Sequence, residues 1–128
     1  MGRRVSLRVQ LLAVVACLAA AAAVAVGAGA AGAATAHAAR TCSPPRYPGS
    51  GYFTSLSVRG TSCATGRRVA LAWYRCRVRS GGPTGRCHSR VLGYSCRERR
   101  TSIPTEIDAR VTCRRSGATV VHTYQQDT

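Results

Sequence analysis

Polar and apolar residues change rhythm several times along this chain, and each change marks a boundary. From about Leu11 to Ala36 the residues are nearly all Ala, Val, Leu and Gly, with no charge among them. Over 39–51, Pro44, Pro45, Pro48 and Gly49 then predict an extended lead-in. Tyr52–Arg59 alternates, with Tyr52, Thr54, Leu56 and Val58 on one face and Phe53, Ser55, Ser57 and Arg59 on the other. Period two with aromatic and β-branched residues predicts a half-buried strand. After Gly60 the period becomes helical: Val69, Trp73 and Cys76 recur at i, i+4 and i+7, with Ala70 and Ala72 beside them. Thr61 or Ser62 caps this helix, Cys63 lies in its first turn, and Gly81-Gly82-Pro83 stops it. Arg75, Arg77 and Arg79 fall in the last turn, where positive charge suits the helix dipole.

Alternation returns over Arg90–Arg97, with Leu92, Tyr94 and Cys96 on one side. A charged turn or loop follows, from Arg97-Glu98-Arg99-Arg100 to Ile103-Pro104. The clearest alternation begins at Glu106: Ile107, Ala109, Val111 and Cys113 point one way, and Glu106, Asp108, Arg110 and Thr112 the other. Ser116-Gly117 reads as a hairpin turn and Ala118–Gln125 as the returning strand, with the last few residues fraying. The order strand, helix, three strands predicts an α+β domain over 52–128. One helix covers one face of a four-stranded, mainly antiparallel sheet.

The uncharged run gains meaning from its flanks. Arg3, Arg4 and Arg8 precede it and Ala36-His37-Ala38 closes it, the layout of a secretory signal peptide over 1–38 with cleavage after Ala38. Arg3-Arg4 is a weak match to a twin-arginine signal, because Ser6 stands where that pattern has an aromatic residue. Val14-Val15-Ala16-Cys17 has the shape of a lipoprotein processing site, but the apolar run continues well past Cys17. Uncleaved, the run would be long enough to hold the chain at the outer face of a membrane, since about 20 apolar residues suffice. Every variant places the folded part outside the cell.

Six of the seven cysteines follow the signal: Cys42, Cys63, Cys76, Cys87, Cys96 and Cys113. An even set in a small exported domain reads as a disulfide framework. The need is physical, because a domain near this size buries only about 60–65% of its unfolded surface. Each crosslink contributes about 2–4 kcal/mol by restricting the unfolded chain. The chain has no C-x-x-C pair, which argues against a structural zinc site, and no motif points to a metal or cofactor. A right-handed strand–helix–strand crossover with parallel strands would bring Cys63 near Cys96 and leave Cys42, Cys76, Cys87 and Cys113 to pair among themselves.

Charge sharpens the picture further. The 128 residues carry a formal net charge of +15. Without Arg3, Arg4 and Arg8, sixteen arginines oppose Glu98, Glu106, Asp108 and Asp127, a net charge near +12. Such a field attracts nucleic acid, anionic membrane surfaces or acidic cell-envelope polymers. Lysine is absent, so the codon bias of a GC-rich genome explains the arginine excess equally well.

Three classes of activity compete. Binding of an anionic partner by a monomer would use Arg97, Arg99, Arg100, Arg114 and Arg115, whose guanidinium forks suit phosphate or sulfate. A ribonuclease-like hydrolase would need a base, a cation and an acid, and Glu106, Arg110 and His122 supply them if Val121 points into the core. The simpler account of these three is a solvated strand face and a partly buried hairpin histidine. A protease inhibitor or envelope interaction module would present Thr101–Thr105 as a rigid loop. No G-x-S-x-G, Gly-rich phosphate loop or H-E-x-x-H occurs, so the reading favours binding over catalysis.

Leu56-Ser-Val-Arg-Gly-Thr-Ser-Cys63-Ala, Val91-Leu-Gly-Tyr-Ser-Cys96 and Ala109-Arg-Val-Thr-Cys113 together carry a resemblance. Over Tyr52 to Gln125 the chain resembles small secreted proteins of high-GC actinobacteria that share a strand, a Ser-Cys-Ala helix start and two later strand cysteines. The resemblance implies export and this fold, and it implies no activity. Cys42, Cys76 and Cys87 stand outside its pattern.

Overall fold

The computed structural model describes residues 37–128; Cys17 and nearly all of the expected signal segment over 1–38 lie outside the described residues. Five strands and one helix follow in chain order: β1 (Arg40–Cys42), β2 (Gly51–Arg59), α1 (Cys63–Arg79), β3 (Ser95–Ile103), β4 (Glu106–Arg115) and β5 (Ala118–Asp127). A short 3-10 turn at Gly82–Thr84 follows the helix. The class is α+β, with the strands in the order β1-β2-β5-β4-β3 and every neighbouring pair antiparallel. The sheet has five strands rather than four, because the lead-in itself contributes β1, with Cys42 opposite Leu56. Three residues between two loops are too short for a periodic signal.

Ser62 caps α1: its side chain accepts a hydrogen bond from the Thr65 amide at 3.1 Å, satisfying one of the free donors of the first turn. Gly66, Val69, Ala70, Trp73 and Cys76 form the buried stripe, and Arg77 is buried with them. Gly66 is required by the packing. A Cβ there would sit 2.6 Å from Val58 Cγ1, so glycine lets the helix lie directly on β2. Leu56, Val58, Val69, Val111, Cys113 and Val120 fill the layer between helix and sheet, each at most 2% exposed.

The strand phases correct two expectations. Strand β2 carries a bulge between Phe53 and Ser55, so Phe53 joins Leu56 and Val58 inside while Tyr52 and Thr54 face out. One extra residue in a strand shifts the alternation, which an unbroken period-two reading misses. Strand β3 starts at Ser95 and includes the segment expected as a loop. Val91–Tyr94 is instead a tight turn, closed by two backbone hydrogen bonds of 3.0 and 2.9 Å. The strand character of 97–103 is hidden because Glu98 and Arg100 face inward and neutralise each other. The C-terminus does not fray: β5 runs to Asp127, whose amide bonds to Ser50, and the Thr128 amide bonds to Thr105.

The disulfides are Cys42–Cys63, Cys76–Cys87 and Cys96–Cys113. The expected Cys63–Cys96 pair does not form. It needed β2 and the following strand to be parallel neighbours, whereas β3 is an edge strand separated from β2 by β5 and β4. Cys96 lies directly opposite Cys113 across the β3–β4 ladder, with Cα atoms 4.0 Å apart, and Cys42 fastens β1 to the start of α1.

Candidate functional site

Antiparallel pairing turns the outward residues of four strands into rows. Ser55, Thr123, Arg110 and Arg99 stand side by side across β2, β5, β4 and β3. The next row towards one end is Ser57, Val121, Thr112 and Arg97, and beyond it come Arg59, Thr119, Arg114 and Ser95. Towards the other end stand Tyr52, Gln125, Asp108 and Thr101. This face lies opposite the helix and displays five exposed arginines: Arg59, Arg97, Arg99, Arg110 and Arg114. An open depression of about 470 Å³ is centred on it, lined by Thr54, Arg99, Thr101, Asp108, Arg110 and Thr123. Thr123 also meets the Ser55 hydroxyl at 2.7 Å and the Thr54 hydroxyl, so the depression combines two guanidiniums with a cluster of hydroxyls.

Arg99 and Arg110 are direct cross-strand partners. Like charges opposite each other weaken a sheet. Among the described residues the one ion pair within 4.0 Å is Arg100–Glu98, so neither Arg99 nor Arg110 is neutralised by a close carboxylate. The arrangement is a positively charged surface with donor groups at regular spacing. Along β3, Arg97 and Arg99 are two residues apart, about 6.6 Å.

Two of the five arginines expected in a binding patch are used elsewhere. Arg100 faces inward, 2.8 Å from Glu98, and donates to the carbonyls of Thr84 and Gly85 at 2.8 Å each. Burial opposes its charge, but the hydrogen bond and ion pair with Glu98 outweigh this and hold its pKa above the ordinary arginine value. Arg115 lies over the Tyr94 ring at 4.8 Å and donates to the Leu92 carbonyl at 3.1 Å. Arg97, Arg99 and Arg114 remain on the open face, where Arg110 and Arg59 join them.

The arrangement of Glu106, Arg110 and His122 does not assemble. Val120, His122, Tyr124 and Gln126 point into the core and Val121 points out, the reverse of the phase that the constellation needs. Glu106 and Arg110 lie on the outer face of β4 while His122 is wholly buried, its ring edge-on to Phe53 at 5.7 Å. Neither imidazole nitrogen has a hydrogen-bond partner among the described residues, and burial pulls the pKa down to about 3. His122 is a neutral core residue. The segment Thr101–Thr105 is no projecting loop either: Thr101–Ile103 belongs to β3, and the turn is tied down by Thr128, whose hydroxyl donates to the Pro104 carbonyl at 2.8 Å.

Sequence reasoning placed Arg77 in a basic cluster in the last turn of the helix, and the structure buries it completely. It donates to the Tyr47 hydroxyl at 2.8 Å, to Gln126 and to the Pro83 carbonyl, and its guanidinium lies 4.7 Å from the centre of the Tyr124 ring. Tyr124 in turn donates to Glu98, which links the helix, β5 and β3 through one polar network. Burial pushes the Tyr47 hydroxyl up to about 12, against the opposing pull of Arg77, so it stays a neutral phenol. The signal was present in the helical phase, for Arg77 falls four residues after Trp73 and eight after Val69.

Among the described residues no group of three His, Cys, Asp or Glu side chains is placed to hold a metal ion, and no helix is long and apolar enough to cross a membrane. No family model, curated protein or solved structure matches this chain.

Proposed function

We propose that the chain is exported by its N-terminal segment and that the folded part, as a monomer, binds an extended polyanion on the open face of its sheet. The observation that carries this reading is Arg99 facing Arg110 across β3 and β4 at the edge of an open, hydroxyl-lined depression. A phosphate between them would turn a repulsion within the sheet into two charge-assisted hydrogen bonds. Arg97, and beyond it Arg114 and Arg59, extend the track towards one end of the strands. Tyr52 at one edge is the sole aromatic residue on this face among the described residues, so the polymer is held by its phosphates and not by stacked bases. Arg97 and Arg99 also guard the free edge of β3 against pairing with another copy, which favours a monomer. Three disulfides suit a protein that works outside the cell.

The test is binding of the exported, oxidised chain to fluorescent single-stranded RNA over a salt titration. Four phosphate contacts give a slope of log K against log salt of roughly −3. The triple variant Arg97→Ala, Arg99→Ala, Arg110→Ala flattens that slope by roughly 2 and weakens binding at least ten-fold. A variant that binds like the parent, or binding insensitive to salt, overturns the proposal and leaves codon bias as the origin of the arginines.

A further inference from the structure

A second group of arginines lies on the helix side of the sheet, away from the open face. Arg75 and Arg79 stand one turn apart on α1, and Arg90 approaches them from the segment that follows Cys87. The three line a cleft of about 350 Å³ with Cys76 at its floor and Ala72, Val91 and Leu92 along its apolar wall. No carboxylate is among the described residues that line it. Like charges at i, i+4 oppose helix formation, and the helix C-terminus offsets this only by its partial negative charge.

Two features make this a formed cleft and not a chance gap. The Cys76–Cys87 disulfide ties the chain leading to Arg90 to the helix that bears Arg75 and Arg79. Beside it, Leu92 sits at φ 49° and is 54% exposed. A bulky side chain in the left-handed region is strained, and glycine would relieve that strain at the loss of only a half-exposed side chain. The turn is nonetheless held in place, by the two Val91–Tyr94 backbone bonds and by Arg115 on the Leu92 carbonyl. The structure therefore keeps an apolar side chain at the rim of an arginine-lined cleft, in a conformation that leucine disfavours.

We propose that this cleft binds a phosphate monoester with a short apolar substituent. The phosphate sits among Arg75, Arg79 and Arg90, and the substituent packs on Ala72, Val91 and Leu92. The volume suits a small molecule or one headgroup, since ligand pockets begin near about 300 Å³. A polymer lying on the open face makes no use of it, so this site stands or falls separately from the function proposed above.

The experiment is a two-dimensional amide NMR titration of the oxidised, exported chain with inorganic phosphate and with butyl phosphate. Saturable shifts are expected at the amides of residues 75–80 and 89–93, with butyl phosphate at least three-fold tighter. The pair Arg79→Gln, Arg90→Gln weakens both ligands ten-fold or more, whereas Arg97→Ala, Arg99→Ala, Arg110→Ala leaves them within two-fold. Leu92→Gly keeps the fold, relieves the strained turn and abolishes the preference for the butyl ester. Shifts that never saturate, that centre on the open face, or that survive the Arg79, Arg90 variant overturn the proposal. Co-sedimentation with phosphatidic-acid vesicles, reversed by butyl phosphate, identifies the source as a lipid headgroup. Binding of butyl phosphate without co-sedimentation identifies a soluble ester.

Discussion

The two faces of the sheet use the same residue type in opposite ways. On the helix side, Arg77 and Arg100 are withdrawn from water and surrounded by acceptors: a carboxylate, a glutamine oxygen, two phenols and three backbone carbonyls. Their geometry is fixed and their terminal guanidinium nitrogens bond within the chain, while the Arg77 Nε has no partner among the described residues. On the outer side, Arg97, Arg99, Arg110 and Arg114 are exposed and face hydroxyls or one another. Burial therefore decides which arginines hold the fold together and which are free to meet a partner. A count of arginines cannot distinguish them.

Substitution at Arg77 gives the largest contrast. Arg77→Ala removes the donor to the Tyr47 hydroxyl, one of two donors to Gln126 and one of two to the Pro83 carbonyl, and opens a cavity, so guanidinium denaturation should register a loss of about 3–5 kcal/mol. Arg77→Met, which restores volume but no donor, should recover part of this and leave RNA binding intact.

The inner face should also respond to acid through His122. At pH 7 its imidazole is neutral in both states, so it adds no pH dependence there. Below 6.5 the unfolded chain takes up a proton, which the folded chain, with its pKa near 3, refuses until much lower pH. Stability accordingly falls as pH drops from about 6.5 towards 3, and the loss from this residue reaches about 2–3 kcal/mol at pH 4.5. His122→Phe should flatten that part of the stability profile, as read by denaturation midpoints from pH 7 to pH 4.

Substitutions on the outer face should move stability least. Arg99→Thr removes the charge opposite Arg110 and should stabilise by a few tenths of a kcal/mol at low salt, an effect that fades as salt rises. A destabilisation of 2 kcal/mol or more would mean that the outer arginines hold the fold as the inner ones do, and the contrast between the faces would be lost.

The sequence was most informative where one periodicity ran unbroken. Helix α1, its Ser62 cap and its Gly81 stop followed from spacing and turn chemistry, as did the β4–β5 hairpin with Gly117 at φ 73°. Reading failed where two local signals overlapped. The bulge after Phe53 shifted the phase of β2, and β3 looked like a loop because a neutralised Glu98–Arg100 pair occupied its inward positions. Disulfide pairing depends on strand order, which no local pattern encodes, so the Cys63–Cys96 expectation fell once β3 proved to be the far edge strand. The open-face arginines were partly legible: Arg97, Arg99 and Arg114 were foreseen as binders, Arg110 was assigned to catalysis, and Arg59 was overlooked. The catalytic alternative for His122 needed the opposite phase of β5, since shifting the strand by one residue exchanges its two faces, whereas the simpler account already kept that ring partly buried.

On the proposed export, the position of β1 would set an order of events in maturation. It begins at Arg40, two residues past the proposed cleavage point at Ala38, and pairs at once with the far end of β2. A peptidase needs an extended stretch of backbone in its own cleft, and a strand docked in a sheet cannot supply one. On the proposed cleavage after Ala38, removal of the leader would compete with docking of β1, and closure of the Cys42–Cys63 bond would end the competition. A chain that folds too quickly would keep its leader, so slow closure of this one crosslink would serve as the timer for release.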